Sequence, residues 1–147
     1  MRVSARLALA LVFTACMTVI AGCDSGPPRF VVKGKISNKG QVIPVKVTES
    51  QAGGRLRVYL KSAEDAANTE VWEARVNYAD GSFVIAGSDG RGVPKGKYKV
   101  CVEWKDKFPL GKDLLNKKFI GENTKIIRDV PLPEGTELII DVSKAQG

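Results

Sequence analysis

The chain has 147 residues, enough for one domain with a buried core, and carries 23 Lys and Arg against 16 Asp and Glu, a net charge of +7. It has no histidine, which excludes imidazole acid–base catalysis, Ser-His and Cys-His nucleophile pairs, and imidazole metal ligands. Binding, structural work, or chemistry through carboxylates or a thiol remain.

Residues 1–22 have the three parts of an export signal. Arg2 and Arg6 give a positive start with no acid among them. The mostly apolar run 7–20 follows, and at 14 residues it is short of the roughly 20 that span a bilayer. Ala21 and Gly22 are the small residues that a signal peptidase accepts. Cys23 comes next, where an ordinary signal makes no demand.

The stretch Val19-Ile20-Ala21-Gly22-Cys23 resembles the lipobox of bacterial lipoproteins, with Ile20 where that family most often has Leu. The resemblance implies a diacylglyceryl group on the Cys23 thiol, cleavage before it, and acylation of the new amino terminus. One acyl chain gives marginal membrane binding and two or more hold stably. The expectation is therefore an exported protein held permanently in the bacterial cell membrane or outer membrane, its domain in the periplasm or at the surface. Asp24 resembles an inner-membrane retention signal of some bacteria, and the sequence leaves the choice of membrane open.

Loss of residues 1–22 leaves 125 residues and removes Arg2 and Arg6, so the net charge falls to +5. Cys16 goes with the signal and Cys23 is lipidated, so Cys101 is the remaining thiol and no intramolecular disulfide is expected. Residues 23–29 read as a lipidated tether, because Gly26, Pro27 and Pro28 favour extended, solvated chain.

From residue 30 to 144 the patterns are those of strands. Phe30, Val32 and Ile36 alternate with Lys33 and Lys35, and Leu56, Val58 and Leu60 with Arg55, Arg57 and Lys61. Trp72, Ala74 and Val76 alternate with Glu73 and Arg75. Phe83 and Ile85 follow Asp80-Gly81, a dipeptide suited to the positive φ of a hairpin turn. Tyr98, Val100, Val102 and Trp104 face one way along the cleanest run. Residues 125–130 and 136–142 flank a Pro- and Gly-containing turn, and Val45–Thr48 is a weaker strand. Ala63–Ala67 and Asp113–Phe119 are the two stretches with helical character, Asp113 being placed to cap. About seven short strands with Gly and Pro turns predict an all-β, single antiparallel sandwich.

Lys33-Gly34-Lys35-Ile36 with Gly40-Gln41-Val42-Ile43-Pro44, then Asp80-Gly81-Ser82-Phe83, then Gly92-Val93-Pro94-Lys95-Gly96-Lys97-Tyr98-Lys99-Val100, resemble in order the motifs of carboxypeptidase-regulatory-like, or transthyretin-like, domains. The resemblance covers most of residues 30–143 and implies a seven-stranded prealbumin-like sandwich. A purine-pathway hydrolase among the transthyretin relatives depends on histidines, and this chain has none, so that activity is not expected.

The candidate site residues each have a structural reading beside a functional one. Lys95, Lys97, Lys99, Lys105 and Lys107 share one parity and form a possible binding surface for lipid headgroups, an acidic polysaccharide or an acidic protein, or else a solvated face that discourages edge pairing. Cys101 is either a reactive thiol among cations or a small residue covered by a strand or loop. Trp72 and Trp104 line either a sugar site or the core. Asp80-Gly81-Ser82 and Ser88-Asp89-Gly90 lack the alternating acids of a calcium loop and read as turns. The carboxylates show no local catalytic motif. The expectation is a non-catalytic module without cofactor or metal, binding a protein partner in the envelope or an acidic polysaccharide. No nucleic acid is expected, because no aromatic platform interleaves the basic run.

Overall fold

The computed structural model describes residues 26–45, 53–65 and 67–144. The export signal, Cys23 and most of the weak strand expected at 45–48 lie outside the described residues. Ten strands run in chain order: β1 (Arg29–Phe30), β2 (Val32–Ser37), β3 (Arg55–Ser62), β4 (Val71–Glu73), β5 (Arg75–Val76), β6 (Ser82–Ile85), β7 (Val93–Pro94), β8 (Gly96–Lys105), β9 (Ile127–Val130) and β10 (Leu138–Asp141). They form two four-stranded sheets, β10-β2-β6-β5 and β4-β3-β8-β9, and the small pair β1-β7.

The strands follow the period-two patterns closely. In β2, Val32, Gly34 and Ile36 are buried while Lys33 and Lys35 are exposed. β3 buries Leu56, Val58 and Leu60, and β8 buries Tyr98, Val100 and Val102. These two strands pair antiparallel over eight positions, from Arg55 opposite Lys105 to Ser62 opposite Tyr98. Apolar side chains from both four-stranded sheets, including Ile36, Phe83 and Ile140 from one and Val58, Trp72 and Val100 from the other, join a single buried cluster. Each sheet therefore turns one face inward and one face to solvent, as alternation requires.

Two runs that read as continuous strands are divided between sheets. Phe30 belongs to β1, paired with Val93, whereas Val32 opens β2. Trp72 lies in β4 beside β3, but Val76 lies in β5 beside β6. Ala74 makes the crossing, its amide donating to the Val58 carbonyl at 2.8 Å. Strands that switch sheets this way form the corners of packed sheets.

Three expectations are corrected. Among the described residues the strands number ten, three of them two residues long, where about seven were expected. The sheets are not wholly antiparallel, since β10 runs parallel to β2, with Leu138 opposite Gly34 and Asp141 opposite Ser37. The link from β9 to β10 passes from one sheet to the other. Finally, no described residue is helical. Residues 114–119 form turns, with left-handed φ at Asn116 (50°) and Lys117 (61°). Asp113 does cap there, but its carboxylate also accepts the Trp104 amide, and this ties the segment to β8 before a helix can propagate.

The hairpin expected at Asp80-Gly81 forms with a five-residue loop, 77–81, between β5 and β6. Gly81 has φ 73°, and its carbonyl accepts the Ile36 amide at 2.8 Å. A side chain there would meet the Ile36 carbonyl oxygen. Gly34 is required for a different reason: its Cα lies against the Phe83 ring and the Leu138 carbonyl oxygen, leaving no room for a Cβ.

Candidate functional site

The outer face of β4-β3-β8-β9 carries most of the residues singled out by sequence. Of the five lysines, Lys97, Lys99 and Lys105 lie on β8, Lys95 lies between β7 and β8, and Lys107 lies past the strand end. They do not form one free stripe. Lys99 pairs with Glu122 at 2.6 Å and holds that carboxyl below its ordinary range. Lys105 Nζ donates to the Pro109 carbonyl at 3.1 Å. Lys95, Lys97 and Lys107 remain exposed, with Lys97 opposite Asp129 in the β8–β9 register.

Between β4, β3 and β8 the charges neutralise one another. Arg57 donates to Glu73 through Nε at 3.1 Å and Nη2 at 3.0 Å, and to Glu103 through Nη1 at 2.8 Å. Arg55 adds a bond to Glu73 at 2.8 Å and lies over the Phe108 ring. The Arg57 hydrogen bonds hold the Glu73 carboxyl below its ordinary range, and Glu73 in turn raises the Arg57 guanidinium. A fork-on-fork arginine–carboxylate pair fixes geometry as well as charge.

Cys101 belongs to the outward parity of β8 yet is 0% exposed. The segment 119–126 runs over it, held to β8 by the Val102 amide on the Phe119 carbonyl (2.9 Å) and the Val100 amide on the Ile126 carbonyl (2.8 Å). Burial pushes the Cys101 thiol up, against hydrogen bonds from the Gly121 backbone and the Tyr59 hydroxyl that favour the thiolate. Burial likewise pushes the Tyr59 hydroxyl well above its ordinary value. A thiol kept protonated and covered is a packing residue rather than a nucleophile.

Both tryptophans pack inward. Trp72 is 8% exposed with the Arg29 guanidinium over its ring, and Trp104 packs against the same core. The two aspartate loops are turns: Asp80 accepts the Ser82 amide at 2.8 Å and its hydroxyl at 2.7 Å, and Asp89 accepts the Arg91 amide at 3.1 Å. No group of three metal-ligating side chains occurs among the described residues.

Sequence reasoning missed the outer face of the second sheet, β10-β2-β6-β5. Lys33 pairs in register with Val84, Val84 with Arg75, and Lys35 with both Ser82 and Ile139. Lys33, Lys35 and Arg75 are exposed, and none is in an ion pair among the described residues. Exposed apolar side chains interleave them: Ile139 (57%), Val31 (46%) and Val84 (37%). The signal was present as the Lys33/Lys35 alternation, but nothing local says that the neighbouring strands bring no acid to meet it.

Two shallow depressions flank this sheet. One, of about 520 Å³, lies between Arg29–Lys33 and the turn 131–137. The other, of about 650 Å³, lies between β4, β5 and the 87–89 turn. Both are open to solvent and Arg29, at the end of the tether, borders each of them.

No family model, curated protein or solved structure matches the chain significantly.

Proposed function

We propose that this is a lipid-anchored protein of the bacterial envelope whose all-β domain, a transthyretin-like sandwich, is a non-catalytic binding or adaptor module for a protein partner. The observation that carries the reading is the Val19–Cys23 lipobox followed so closely by the domain. Only residues 24–28 separate Cys23 from β1. A chain of that length reaches about 20 Å when fully extended, so the domain stays beside the membrane that holds it. A tether this short suits a module that presents its surface to other membrane-held components.

The test is crosslinking in cells of a C-terminally tagged protein, followed by mass spectrometry of what copurifies from membranes, with Cys23→Ser as the control. The adaptor reading expects one dominant partner that disappears in the control. An absence of partner in both samples overturns it. A second reading, an acidic-polysaccharide binder, is favoured by the exposure of Lys95, Lys97 and Lys107. It expects salt-sensitive retention on acidic glycans that weakens when Lys97 and Lys99 become Ala.

A further inference from the structure

The two solvent faces of the domain differ in how their charge is balanced. On β4-β3-β8-β9, Arg55, Arg57 and Lys99 are each paired with a carboxylate at 2.6–3.0 Å. On β10-β2-β6-β5, Lys33, Lys35 and Arg75 have no such partner among the described residues, and the strands opposite them present Ser82, Val84 and Ile139. The acids at the border are engaged elsewhere or set to one side. Asp80 is bound to Ser82, Asp141 accepts the Lys39 and Ser143 amides at 3.0 Å, and Glu137 lies just before β10. Asp80 is the one that senses Lys35.

Cations interleaved with exposed aliphatic side chains match the chemistry of an anionic lipid surface. The cations meet phosphate, and Val31, Val84 and Ile139 meet the region just beneath it. Position supports the same occupant. β2 follows the tether through β1, so Lys33 and Lys35 are outward residues of the first long strand after Cys23, and the exposed Val31 lies just before it. We infer that the β10-β2-β6-β5 face rests on the anionic head groups of the bilayer, with Lys33, Lys35 and Arg75 as its electrostatic contacts. This inference rests on the lipid-anchored reading. It leaves the β4-β3-β8-β9 face, where Arg55, Arg57 and Lys99 are paired with carboxylates, pointing away from the membrane toward a partner.

The test uses the full mature protein, purified from membranes and reconstituted into vesicles of phosphatidylcholine alone or with one-third phosphatidylglycerol. Flotation with the neutral vesicles reads the anchor, and lysine acetylation followed by mass spectrometry reads the face. Each cation near an anionic surface adds a roughly five-fold attraction. The expected result is flotation with both vesicle types and acetylation of Lys33 and Lys35 slowed about five-fold by phosphatidylglycerol. Lys97 and Lys107 keep their rates, 0.5 M salt (roughly, by the screening length) removes the difference, and Arg75→Glu shrinks it. Equal rates for Lys33 and Lys35 on both vesicles, with the protein afloat, overturn the inference and leave the anchor standing. Protection of Lys33 and Lys35 only in native membranes assigns the face to a protein and also overturns it. Failure to float on neutral vesicles overturns the anchor instead, and flotation on the anionic vesicles with Lys33 protected then supports the face alone.

Discussion

Lys33 and Arg75 stand on either side of Val84, because β6 pairs Val84 with Lys33 of β2 on one edge and with Arg75 of β5 on the other. Two cations thus share one apolar neighbour across three strands, all on the solvent side of the sheet. Such a row contributes little to folding, since its two cations are exposed and make no ion pair among the described residues. Lys33→Ala and Arg75→Ala are each expected to change the unfolding free energy by less than about 0.5 kcal/mol. Urea unfolding of the purified protein checks this, and a larger loss in either variant would make the face a structural one.

The other sheet behaves differently, because several of its outward charges, Arg55, Arg57, Glu73 and Glu103 among them, are bound to one another. Arg57 holds Glu73 below its ordinary range, so the folded state favours the ionised carboxylate. That contribution is present above the unfolded value of about 4.3 and is lost as pH falls through the lower folded value. Stability should therefore drop as pH is lowered past about 4, and Glu73→Gln should flatten that drop. Arg57→Gln is expected to cost about 1 kcal/mol at neutral pH, a small figure because the network is about a third exposed and screened by solvent. Denaturant midpoints across pH for the three proteins measure both effects.

Asp113 carries more of the fold than its place in a loop suggests. It is 9% exposed and accepts the amides of Trp104 at 3.0 Å, Leu115 at 3.3 Å and Lys117 at 2.6 Å. Asp113→Ala leaves those donors without their acceptor and should cost about 2 kcal/mol. Asp113→Asn, which keeps one acceptor oxygen, should cost less. The order of the two unfolding midpoints decides the point.

How far the sequence reads through to this architecture depends on the distance over which each feature is determined. The inward sets Leu56/Val58/Leu60 and Tyr98/Val100/Val102 are legible because alternation is local. The sheet that receives each strand is not. The alternation of Trp72, Ala74 and Val76 passes through the crossing at Ala74 without a break, so β4 and β5 look like one strand. The basic surface fails for the same reason. Parity puts Lys99 and Lys33 on outward faces alike, but only the tertiary fold brings Glu122 to Lys99 and leaves Lys33 with Val84. Cys101 is a milder case: its parity is outward, and a segment eighteen or more residues further on covers it.

That cover has a chemical consequence. Burial raises the Cys101 thiol, so at neutral pH it should resist iodoacetamide in the folded protein and react promptly in denaturant. Because Cys16 is expected to leave with the signal and Cys23 to be blocked by lipid, the denatured mature protein should show one titratable thiol. Rapid labelling of the folded protein at Cys101 would show that the 119–126 segment opens.

The most direct measurement of the central claim is the mass of the amino-terminal peptide of the protein isolated from its native membrane. The lipid-anchored reading predicts a peptide that begins at Cys23 and carries a diacylglyceryl group on its thiol, with Cys23→Ser abolishing both the modification and the membrane association. A free Cys23 thiol, or residues 1–22 still attached, would contradict it.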